Sequence, residues 1–538
     1  MHVKASTSHL REASSTKTQA HKAEQTQQTE QALPTSTVSV VKDVVAHEPV
    51  EQATQQLKDA RALTNVTGTP APSSTKSVAQ PGSIALRDPI ATHRVQLRAD
   101  LKLAMDTLVG LPPALTFFGG ARIKPEDPYY KISQDIGRLL AEKGVPPRTG
   151  AGPGIMQSVP EGYVNRRTQL EALGTTTGPS SQLRQIGGVA DGASLDDVRT
   201  QGFNIKLPHE QKLNPVIEVA QEIQLFPFRK LALYENARGV VTFPGGFGTI
   251  DELFEIWNLA ATGKLTDPIA AVGVEFWRPT LEALHKVAVT DRSLISADDA
   301  ARLFVSDDAH ALLDHMLTSE PNPKGFESDP TKLSRTLLKE VDVVTKGLRA
   351  LAPAVAFIGG ETLKDDDPAL AVAKGLAGHI ASQGAAVRVG DEGAGASAAL
   401  NAAKAAGATA KNAQAVLWDK GGTEPGTLTS SSTQTGAVLT ERIPHKELFL
   451  RSAEAYVCLP SGLQGLDEFA TVLCQIQNDK LPKRPIILVG GDYWQPILDA
   501  WQKTMLSEDR QLISPEDMNL VTVVNTVDEA KAALTNLR

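Results

Sequence analysis

The sequence PGGFGTIDE at positions 244–252 lies between an apolar run at 239–243 and an amphipathic run at 253–260. This order predicts a β-strand, a glycine-rich turn and the start of an α-helix. Several backbone N–H groups would then point to one place at the positive end of a helix dipole, an arrangement that binds phosphate. Glu252 would lie about one helical turn from the bound anion. The sequence therefore predicts a phosphate site with a carboxylate beside it.

Length and charge restrict the class of protein. A chain of 538 residues is too long for one core and, at about 150 residues per domain, is expected to form two to four domains. The net charge of −8 and the pI near 5.8 argue against a general nucleic-acid or membrane-surface binder. No apolar run approaches the roughly 20 residues that cross a bilayer, and the N-terminus lacks a secretory signal. We therefore expect a cytoplasmic protein whose partners include neither nucleic acid nor a membrane.

The cysteines and histidines form no metal-binding pattern. Cys458 and Cys474 lie in apolar stretches and are expected to be buried, reduced thiols. The eleven histidines show neither an H-x-H nor an H-E-x-x-H spacing. We predict no metal site and no cofactor.

Residues 1–85 differ in composition from the rest of the chain. They are rich in Ser, Thr, Gln, Lys and Ala and contain few large apolar side chains. Such a segment cannot bury enough surface to offset its chain entropy, so we expect a disordered N-terminal tail. Its composition does not distinguish a targeting or export segment from a tether.

Beyond this tail the sequence repeats. Four landmarks recur in the same order, 240 positions apart for the first and 216 to 218 for the others. They are Gly119-Gly120 with Gly359-Gly360, residues 244–252 with 460–468, Trp277 with Trp494, and Asp291 with Asp509. We infer a tandem duplication with domains at 86–320 and 327–538, joined near a proline-containing break at 319–332.

Each copy alternates strand-like and helical patterns. In the first copy, strands are predicted at 114–118, 239–243 and 268–274, and helices at 130–143 and 227–237. This alternation predicts an α/β fold in which each copy forms a mostly parallel sheet with helices on both faces. Ligands of such sheets bind at the carboxyl ends of the strands.

Three glycine turns of the first copy fall at such strand ends. They occupy 119–122, 149–156 and 244–249, and together they suit a nucleotide. The G-A-G-P-G sequence at 150–154 does not complete the dinucleotide fingerprint, which disfavours NAD.

Residues 88–318 resemble the LOG (Lonely Guy) family of cytokinin riboside 5'-monophosphate phosphoribohydrolases, whose members are often labelled lysine decarboxylases. The P-G-G-x-G-T-x-x-E motif stands complete at 244–252, and Arg229-Lys230 precedes Glu252 at the family spacing of 23 positions. The family turn T-G-G-G-P-G-I-M-E is matched at 149–157, where Ala151 and Gln157 depart from it. Nothing in the sequence indicates a lysine-bound pyridoxal phosphate, which a lysine decarboxylase would need.

The resemblance implies two tandem Rossmann-like domains and a hydrolase in the first. Its substrate would be a purine nucleoside 5'-monophosphate, cytokinin nucleotides included, and its products a free base and ribose 5-phosphate. Glu252 would stabilise the positive charge that develops on the ribose and orient or deprotonate water. Arg229 would assist phosphate binding or the departing base.

The resemblance and the glycine turns also define a set of substrate-binding candidates. They are Gly119, Gly120, Gly150, Gly152, Gly154, Met156, Asn204, Lys230, Gly245, Gly246, Gly248 and Thr249. Simpler interpretations exist for several residues. Thr249 and Glu252 also fit a helix capping box, Arg229 a surface ion pair, Asn204 an ordinary turn and Met156 the core.

The second copy departs from this pattern. By the 216-residue shift Arg229 becomes His445, Gly245 becomes Ser461 and Thr249 becomes Gly465, whereas Glu252 remains a glutamate, Glu468. Its counterpart of the second glycine turn, at 390–395, contains two carboxylates that would repel a phosphate. We predict that the second copy is a poor or inactive hydrolase.

The resemblance leaves two roles open for the second copy. LOG relatives are typically dimers, which implies an intra-chain pseudo-dimer in which the second copy completes the wall of the first site. Alternatively, the second copy binds a regulatory nucleotide, and further homo-oligomers are compatible with either role. Two rival functions for the whole chain are a non-catalytic nucleotide sensor and a carrier of a phosphorylated cofactor such as molybdopterin. The preferred base stays open among adenine, isopentenylated adenine and guanine. A cytokinin product would suit delivery into a plant cell.

Overall fold

The computed structural model of the protein describes residues 89–172, 198–205, 213–318, 330–422 and 424–534. The predicted tail at 1–85 lies outside these ranges, as do residues 319–329 of the predicted junction. Both copies belong to one compact unit.

The first copy alternates strands and helices along the chain. Its strands are β1 (Ala114–Phe118), β2 (Pro147–Thr149), β3 (Gln201–Ile205), β4 (Val219–Ile223), β5 (Ala237–Thr242), β6 (Ile269–Ala271) and β7 (Leu303–Val305). Its helices are α1 (Pro89–Val109), α2 (Pro128–Lys143), α3 (Ile155–Ala172), α4 (Phe226–Tyr234), α5 (Phe247–Ala261), α6 (Val274–Leu284), α7 (Ala297–Ala300) and α8 (Ala309–Thr318). A π-helical segment at His285–Thr290 continues α6.

These strands form one seven-stranded sheet in the order β4-β3-β2-β1-β5-β6-β7. Every neighbouring pair in it is parallel. From β1 the chain proceeds outward through β2 on one side, and from β5 it proceeds through β6 on the other. The gap between β1 and β5 is therefore the topological switch point, where ligands of open parallel sheets bind.

The second copy repeats this order of elements. Its strands are β8 (Ala354–Ile358), β9 (Ala386–Val389), β10 (Ala413–Trp418), β11 (Thr427–Ser430), β12 (Thr435–Leu439), β13 (Ala453–Cys458), β14 (Ile486–Val489) and β15 (Val521–Val524). Its helices are α9 (Pro330–Ala350), α10 (Pro368–Ser382), α11 (Ala394–Ala405), α12 (Arg442–Arg451), α13 (Leu463–Gln477), α14 (Gly491–Met505) and α15 (Val527–Leu534). A 3-10 helix at Pro515–Leu520 precedes β15.

The second sheet has the order β11-β12-β10-β9-β8-β13-β14-β15. Without β11, an edge strand antiparallel to β12, its order is that of the first sheet, with β8 and β13 at the switch point. The predicted α/β fold of two mostly parallel sheets is confirmed. No helix in the described ranges is both long and apolar enough to span a bilayer.

Matching Asp-Pro signals start corresponding helices in the two copies. Asp127 caps α2 by accepting a 2.9 Å hydrogen bond from the Tyr129 N–H, and Asp367 caps α10 through Ala369 in the same way. In each helix the proline takes the first position, where its missing N–H costs nothing. The predicted helix at 130–143 therefore begins two residues earlier than expected.

Four matched helix pairs join the copies: α1 with α9, α4 with α12, α5 with α13, and α6 with α14. The contacts between copies are reciprocal. A Cβ added at Gly246 would lie 2.7 Å from the Leu512 carbonyl oxygen, and one added at Gly462 would lie 2.5 Å from that of Leu294. Leu512 and Leu294 occupy corresponding positions in the duplicated sequence, so each copy presses the same loop against the other's glycine.

A pair of salt bridges follows the same rule. Arg510 of the second copy is 2.7 Å from Asp127 of the first, and Arg292 of the first copy is 3.3 Å from Asp367 of the second. The two arginines correspond in the repeat, as do the two aspartates. Corresponding surfaces of the two copies therefore face each other.

Five buried charged side chains, which we term the interface charge cluster, lie between α4, α5, α12 and α13. The Lys230 Nζ is 2.9 Å from a carboxylate oxygen of Asp251 and also contacts Glu255. The Lys446 Nζ is 2.8 Å from Asp467 and also contacts Glu255. Glu255 therefore bridges the lysines of both copies.

Two hydrogen bonds extend this cluster across the contact. The Thr471 hydroxyl donates to Asp251 at 2.7 Å, and the Asn258 amide donates to Asp467 at 3.1 Å. Each aspartate thus accepts a hydrogen bond from the opposite copy. Removing either copy would take one hydrogen-bond partner from the aspartate that remains, which costs free energy.

Opposite charges favour the ionised forms of Lys230 and Asp467 in the interface charge cluster. Burial disfavours the charged form of Lys230, but Asp251 and Glu255 raise its pKa above the ordinary range. Burial likewise opposes the charge of Asp467, but Lys446 and Arg442 hold its pKa well below the usual value. Asp251, Glu255 and Asp467 lie close enough together to hold a metal ion, and the two lysine ammonium groups supply the compensating charge there.

Both cysteines are buried and carry free thiols, as the sequence predicts. Burial raises the pKa of the Cys458 and Cys474 thiols. Both therefore stay protonated at neutral pH and have little nucleophilic character.

Replacing Lys446 by methionine is expected to destabilise the protein strongly, because it leaves Glu255 and Asp467 buried with less compensating charge. The free energy of unfolding should fall by about 3 to 5 kcal/mol, the usual result of breaking a buried pair. Chemical denaturation of the full chain measures this difference.

The matched control is Lys102→Met, since the Lys102 side chain is 74% exposed and pairs with Asp106 at the surface. Its effect should stay below about 1 kcal/mol. Equal effects of the two substitutions would contradict the role given to the interface charge cluster.

Candidate functional site

The candidate site is a cavity of about 380 Å³ at the carboxyl ends of β1 and β5. The turn that follows β1 contacts the turn that follows β5, because the Gly120 N–H donates a 2.9 Å hydrogen bond to the Pro244 carbonyl. A Cβ at Gly120 would lie 3.1 Å from that same oxygen, so the two turns approach each other closely. The glycine pair thus joins both sides of the switch point.

Helix α5 begins at this cavity. Gly246 is its N-cap residue, and no side chain caps the helix. The interpretation of Thr249 and Glu252 as a capping box is therefore wrong. Gly246 occupies the cap position, so Thr249 lies three residues further on, inside the first turn of the helix. Gly246, Gly248 and Thr249 all line the cavity. The first N–H groups of a helix lack intrahelical partners, so this end is suited to an anion.

Arg229 and Glu252 form a buried ion pair in the cavity wall. The Arg229 Nη1 donates to a Glu252 carboxylate oxygen at 3.0 Å, and the Arg229 Nε donates to the Phe203 carbonyl at 3.0 Å. Arg229 is 6% and Glu252 8% exposed, so the interpretation of Arg229 as a surface ion pair is wrong. The guanidinium is held from two sides and orients the carboxylate.

Burial raises the pKa of Glu252 to about 7, and the Asp251 carboxylate acts in the same direction. The neighbouring Arg229 works against this rise. Glu252 therefore changes its protonation state near neutral pH. A carboxyl group with such a pKa can act as a proton acceptor or donor in a reaction at pH 7.

The second copy supplies one wall of this cavity. Its lining residues come from the end of α13 and from the segment around the 3-10 helix, and they are Gln477, Asn478, Leu512, Ser514 and Asp517. At the rim, the Arg122 Nη1 donates to the Gln511 carbonyl at 3.1 Å. No local sequence pattern identifies these residues of the second copy, because the loop that closes a site can be distant from it along the chain.

The residues predicted from the sequence fall into three groups. Those that line the cavity are Gly119, Gly120, Met156, Arg229, Gly246, Gly248, Thr249 and Glu252. Gly150, Gly152, Gly154 and Gly245 belong to the surrounding turns and are not among its lining residues. Asn204 and Lys230 are not among the lining residues either. Asn204 lies within β3, so its interpretation as a turn residue is wrong, and Lys230 belongs to the interface charge cluster.

Two of the turn glycines are needed for close packing. A Cβ at Gly150 would lie 2.0 Å from the Arg229 Nη2, and one at Gly154 would lie 2.3 Å from the Gly120 carbonyl oxygen. Gly154 also has a φ of +67°, in the left-handed region. Ala151, which departs from the family pattern, takes a φ of +59° without a glycine. The glycine turn at 149–156 therefore packs directly against the Arg229 guanidinium.

The corresponding place in the second copy is built differently. His445, at the position of Arg229, lies between the carbonyl oxygens of Val416 at 2.9 Å and Gly390 at 3.1 Å. Burial and the nearby Arg442 lower the pKa of His445 to about 3, so the imidazole is neutral. It cannot supply the positive charge that Arg229 supplies in the first copy.

Arg442 provides that charge instead. Its Nη1 donates to Glu468 at 2.8 Å, and its Nη2 donates to Asp467 at 2.7 Å. Arg442 precedes His445 by three residues, so both lie on one face of α12. A fixed 216-residue shift does not reveal this exchange of positions, although the spacing of three residues along a helix was a signal for it.

Fold and site define a duplicated α/β protein with a glycine-lined cavity at the switch point of the first sheet. The family described as "Possible lysine decarboxylase" matches residues 186–316 and again residues 399–534. The chain belongs to this family, in two copies.

Two solved structures show a low similarity to part of this chain. The molybdenum cofactor binding protein of Rippkaea orientalis is 14% identical, with 38% of this chain and 93% of that one covered and a TM-score of 0.24. The molybdenum cofactor carrier protein of Chlamydomonas reinhardtii is 16% identical, with 38% and 99% covered and a TM-score of 0.24. Likenesses at this level do not bear on activity. No curated protein sequence matches the chain significantly.

Substituting Gly150 by alanine is expected to displace the Arg229 guanidinium, because the added Cβ would lie 2.0 Å from its Nη2. The displaced atoms are the end of a flexible side chain, so the fold should persist. Affinity for an anionic nucleotide such as AMP should fall roughly tenfold, which titration calorimetry measures.

Gly378→Ala is the control. Gly378 lies within α10 of the second copy, and a Cβ there would be 3.8 Å from its nearest neighbour, an ordinary van der Waals distance. It should bind AMP as the unchanged protein does. A folded Gly150→Ala protein with full affinity would show that the position of Arg229 does not matter for binding.

Proposed function

We propose that the first copy hydrolyses the N-glycosidic bond of a purine nucleoside 5'-monophosphate and releases the free base and ribose 5-phosphate. The observation that supports this proposal most is the buried Arg229–Glu252 pair beside the start of α5. A carboxyl group with a pKa of about 7 and an anion-binding helix terminus share one cavity. The membership of the family is compatible with this chemistry.

The 5'-phosphate is assigned to the start of α5. Gly246, Gly248 and Thr249 line the cavity there, and glycines let an anion approach the backbone closely. Arg229 adds a positive charge nearby. Binding energy from the phosphate, which does not react, would hold the ribose over Glu252 and contribute to the rate.

The proposed reaction needs one carboxylate and one water molecule. As the bond between ribose C1' and the base nitrogen breaks, its electron pair leaves with the base and positive charge develops on the ribose. The Glu252 carboxylate stabilises that charge. Water attacks C1' and Glu252 accepts a proton from it. The departing base, which carries the electron pair of the broken bond, takes up this proton from Glu252 directly or through solvent water, so the carboxylate returns to its ionised form.

The second copy is proposed to act as the other half of an intra-chain pseudo-dimer. Its reciprocal contacts with the first copy and the wall it contributes through Gln477 and Asn478 support this role. The neutral His445 and the acidic turn at 390–395 support the proposal that its own site does not hydrolyse nucleotides.

A decarboxylase that uses a lysine-bound pyridoxal phosphate does not fit the cavity. Among the described residues, none of those that line it is a lysine. The nearest candidate in sequence, Lys230, contacts Asp251 and Glu255, which raise its pKa and keep it protonated against the effect of burial. A protonated lysine is not a nucleophile.

Glu252→Gln is expected to abolish release of free base from AMP, GMP and isopentenyl-AMP, with a loss of about a hundredfold or more, because glutamine neither accepts the proton nor stabilises the charge. Chromatographic detection of the base measures it. Glu468→Gln, the corresponding change in the second copy, should leave turnover largely intact.

Three other results of this experiment would support a different assignment. Loss of activity in Glu468→Gln alone would place the reaction in the second copy and overturn the assignment. Binding of AMP without release of any base would favour a nucleotide sensor. Binding of a molybdopterin cofactor without hydrolysis of any nucleotide would favour a carrier.

The activity should depend on pH with an apparent pKa of about 7, the value to which burial raises the pKa of Glu252. The ionised carboxylate is the active form, so kcat/KM should be highest above this pH and fall about tenfold per unit below it. Initial rates measured from about pH 5.5 to pH 9 test this dependence. A rate that stays constant down to pH 5.5 would exclude Glu252 as the proton acceptor.

A further inference from the structure

The second copy contains a cavity of about 540 Å³ at the carboxyl ends of β9 and β10. It is distinct from the site of the first copy and shares no lining residue with it. The charged residues that line it are Glu361, Asp391, Glu392, Asp419 and Lys420. Four carboxyl groups therefore face one amine.

The acidic lining arises where the first copy has small residues. By the 240-residue shift Glu361 takes the place of Ala121, Asp391 that of Ala151, and Glu392 that of Gly152. Every one of these exchanges adds a carboxyl group to a glycine turn. A phosphate would be repelled from the second cavity, so its ligand differs in charge from that of the first.

Glu361 has unused hydrogen-bonding capacity inside this cavity. Both of its carboxyl oxygens are buried and make no hydrogen bond of good geometry with the described part of the chain, although the backbone N–H groups of Glu361 and Gly462 lie near enough to lower its pKa. The Oε2 of Glu468, a residue with no exposed surface, likewise has no hydrogen-bond partner in the described part of the chain. Unpaired buried acceptors are costly, and a protein that retains them often uses them for a ligand.

The positive charges near these carboxyl groups are too few to compensate all of their negative charge. Burial and the Glu468 carboxylate raise the pKa of Glu361 to about 7. Burial and Glu361 raise the pKa of Asp391 well above its ordinary value. Lys420 opposes both shifts, whereas Arg442 is already paired with Asp467 and Glu468.

One wall of the cavity is apolar. Leu417, Trp418 and Val438 line it, and the indole N–H of Trp418 is already donated to the Thr440 carbonyl at 3.1 Å. The Trp418 ring has two cations near it, the Arg442 guanidinium at 4.8 Å and the Lys420 ammonium at 5.4 Å. This wall suits a hydrocarbon chain that ends in a positive charge.

We propose that the second copy binds a small aliphatic di- or polyamine in this cavity, with an ammonium group bonded to Glu361 and Asp391. An ammonium donates hydrogen bonds to separate carboxyl groups, and its stem would lie along Trp418. A metal ion fits less well, because the described trio of carboxylates that lies close enough for one is Asp251, Glu255 and Asp467. The proposal does not rest on the reaction assigned to the first copy.

Binding of an ammonium group favours the ionised form of Glu361 over the protonated form. With a pKa of about 7 in the free protein, Glu361 would release its proton as the amine binds. The other titratable groups near it are Asp391, Glu392, Asp419, Glu468, Lys420 and Tyr493. Affinity should therefore increase with pH between about 6 and 8, where the amines themselves stay protonated.

Titration calorimetry of the full chain with spermidine and with putrescine tests the proposal. We expect one site per chain, binding that is roughly tenfold weaker at pH 6 than at pH 8, and proton release seen as a buffer-dependent heat. Glu361→Gln should weaken binding at pH 8 at least about tenfold and raise the melting temperature of the free protein, because it removes an unpaired buried acid. Asp391→Asn provides a second variant should Glu361→Gln not fold.

Glu508→Gln is the matched control, since Glu508 is exposed and lies outside the cavity, and it should bind spermidine unchanged. Three outcomes would overturn the proposal: no binding of either amine at millimolar concentration, affinity that Glu361→Gln and Asp391→Asn leave unchanged, or displacement of spermidine by an equal concentration of Mg²⁺. AMP turnover in these variants reports on the first copy and is a separate question.

Discussion

The contact of Lys230 and Lys446 with the shared Glu255 is the interaction on which the rest of the molecule depends. Two members of the interface charge cluster are next to a site residue in sequence. Lys230 follows Arg229 on α4, and Asp251 precedes Glu252 on α5. Helix geometry then directs the neighbouring side chains to a different face, toward the cavity. The buried charges between the copies thus fix the two helices from which the ion pair of the site projects.

Within this shared framework the two copies have diverged. Both retain the lysine and the aspartate of the interface charge cluster, whereas the residue beside the lysine is Arg229 in one copy and His445 in the other. A homodimer would carry each substitution on both sides of its interface. In a fused chain the two halves can change independently. The second copy has a histidine in place of the site arginine, carries its guanidinium one helical turn away at Arg442, and has additional carboxyl groups, while the first copy retains its glycine-lined cavity.

Local sequence signals identified the elements and the turns of this fold well. The helical pattern at 130–143 located the start of α2 to within two residues, glycine turns mark the switch point, and matched landmarks indicate two copies of one unit. The direction of Lys230, the wall formed by Gln477 and Asn478, and the pairing of Arg442 with Glu468 were not accessible in this way. Each depends on packing between segments about 20 to several hundred positions apart, for which a single sequence carries no local pattern.

Because both walls of the first cavity belong to one polypeptide, completion of the site is an intramolecular event. A site shared between separate subunits is diluted away when the protein is scarce, since its assembly depends on protomer concentration. Here Gln477 and Asn478 remain beside Gly246 at any dilution, at an effective concentration set by the chain that joins the copies. A cell that makes only a few molecules of this protein would therefore hold as large a fraction of complete sites as a cell that makes thousands.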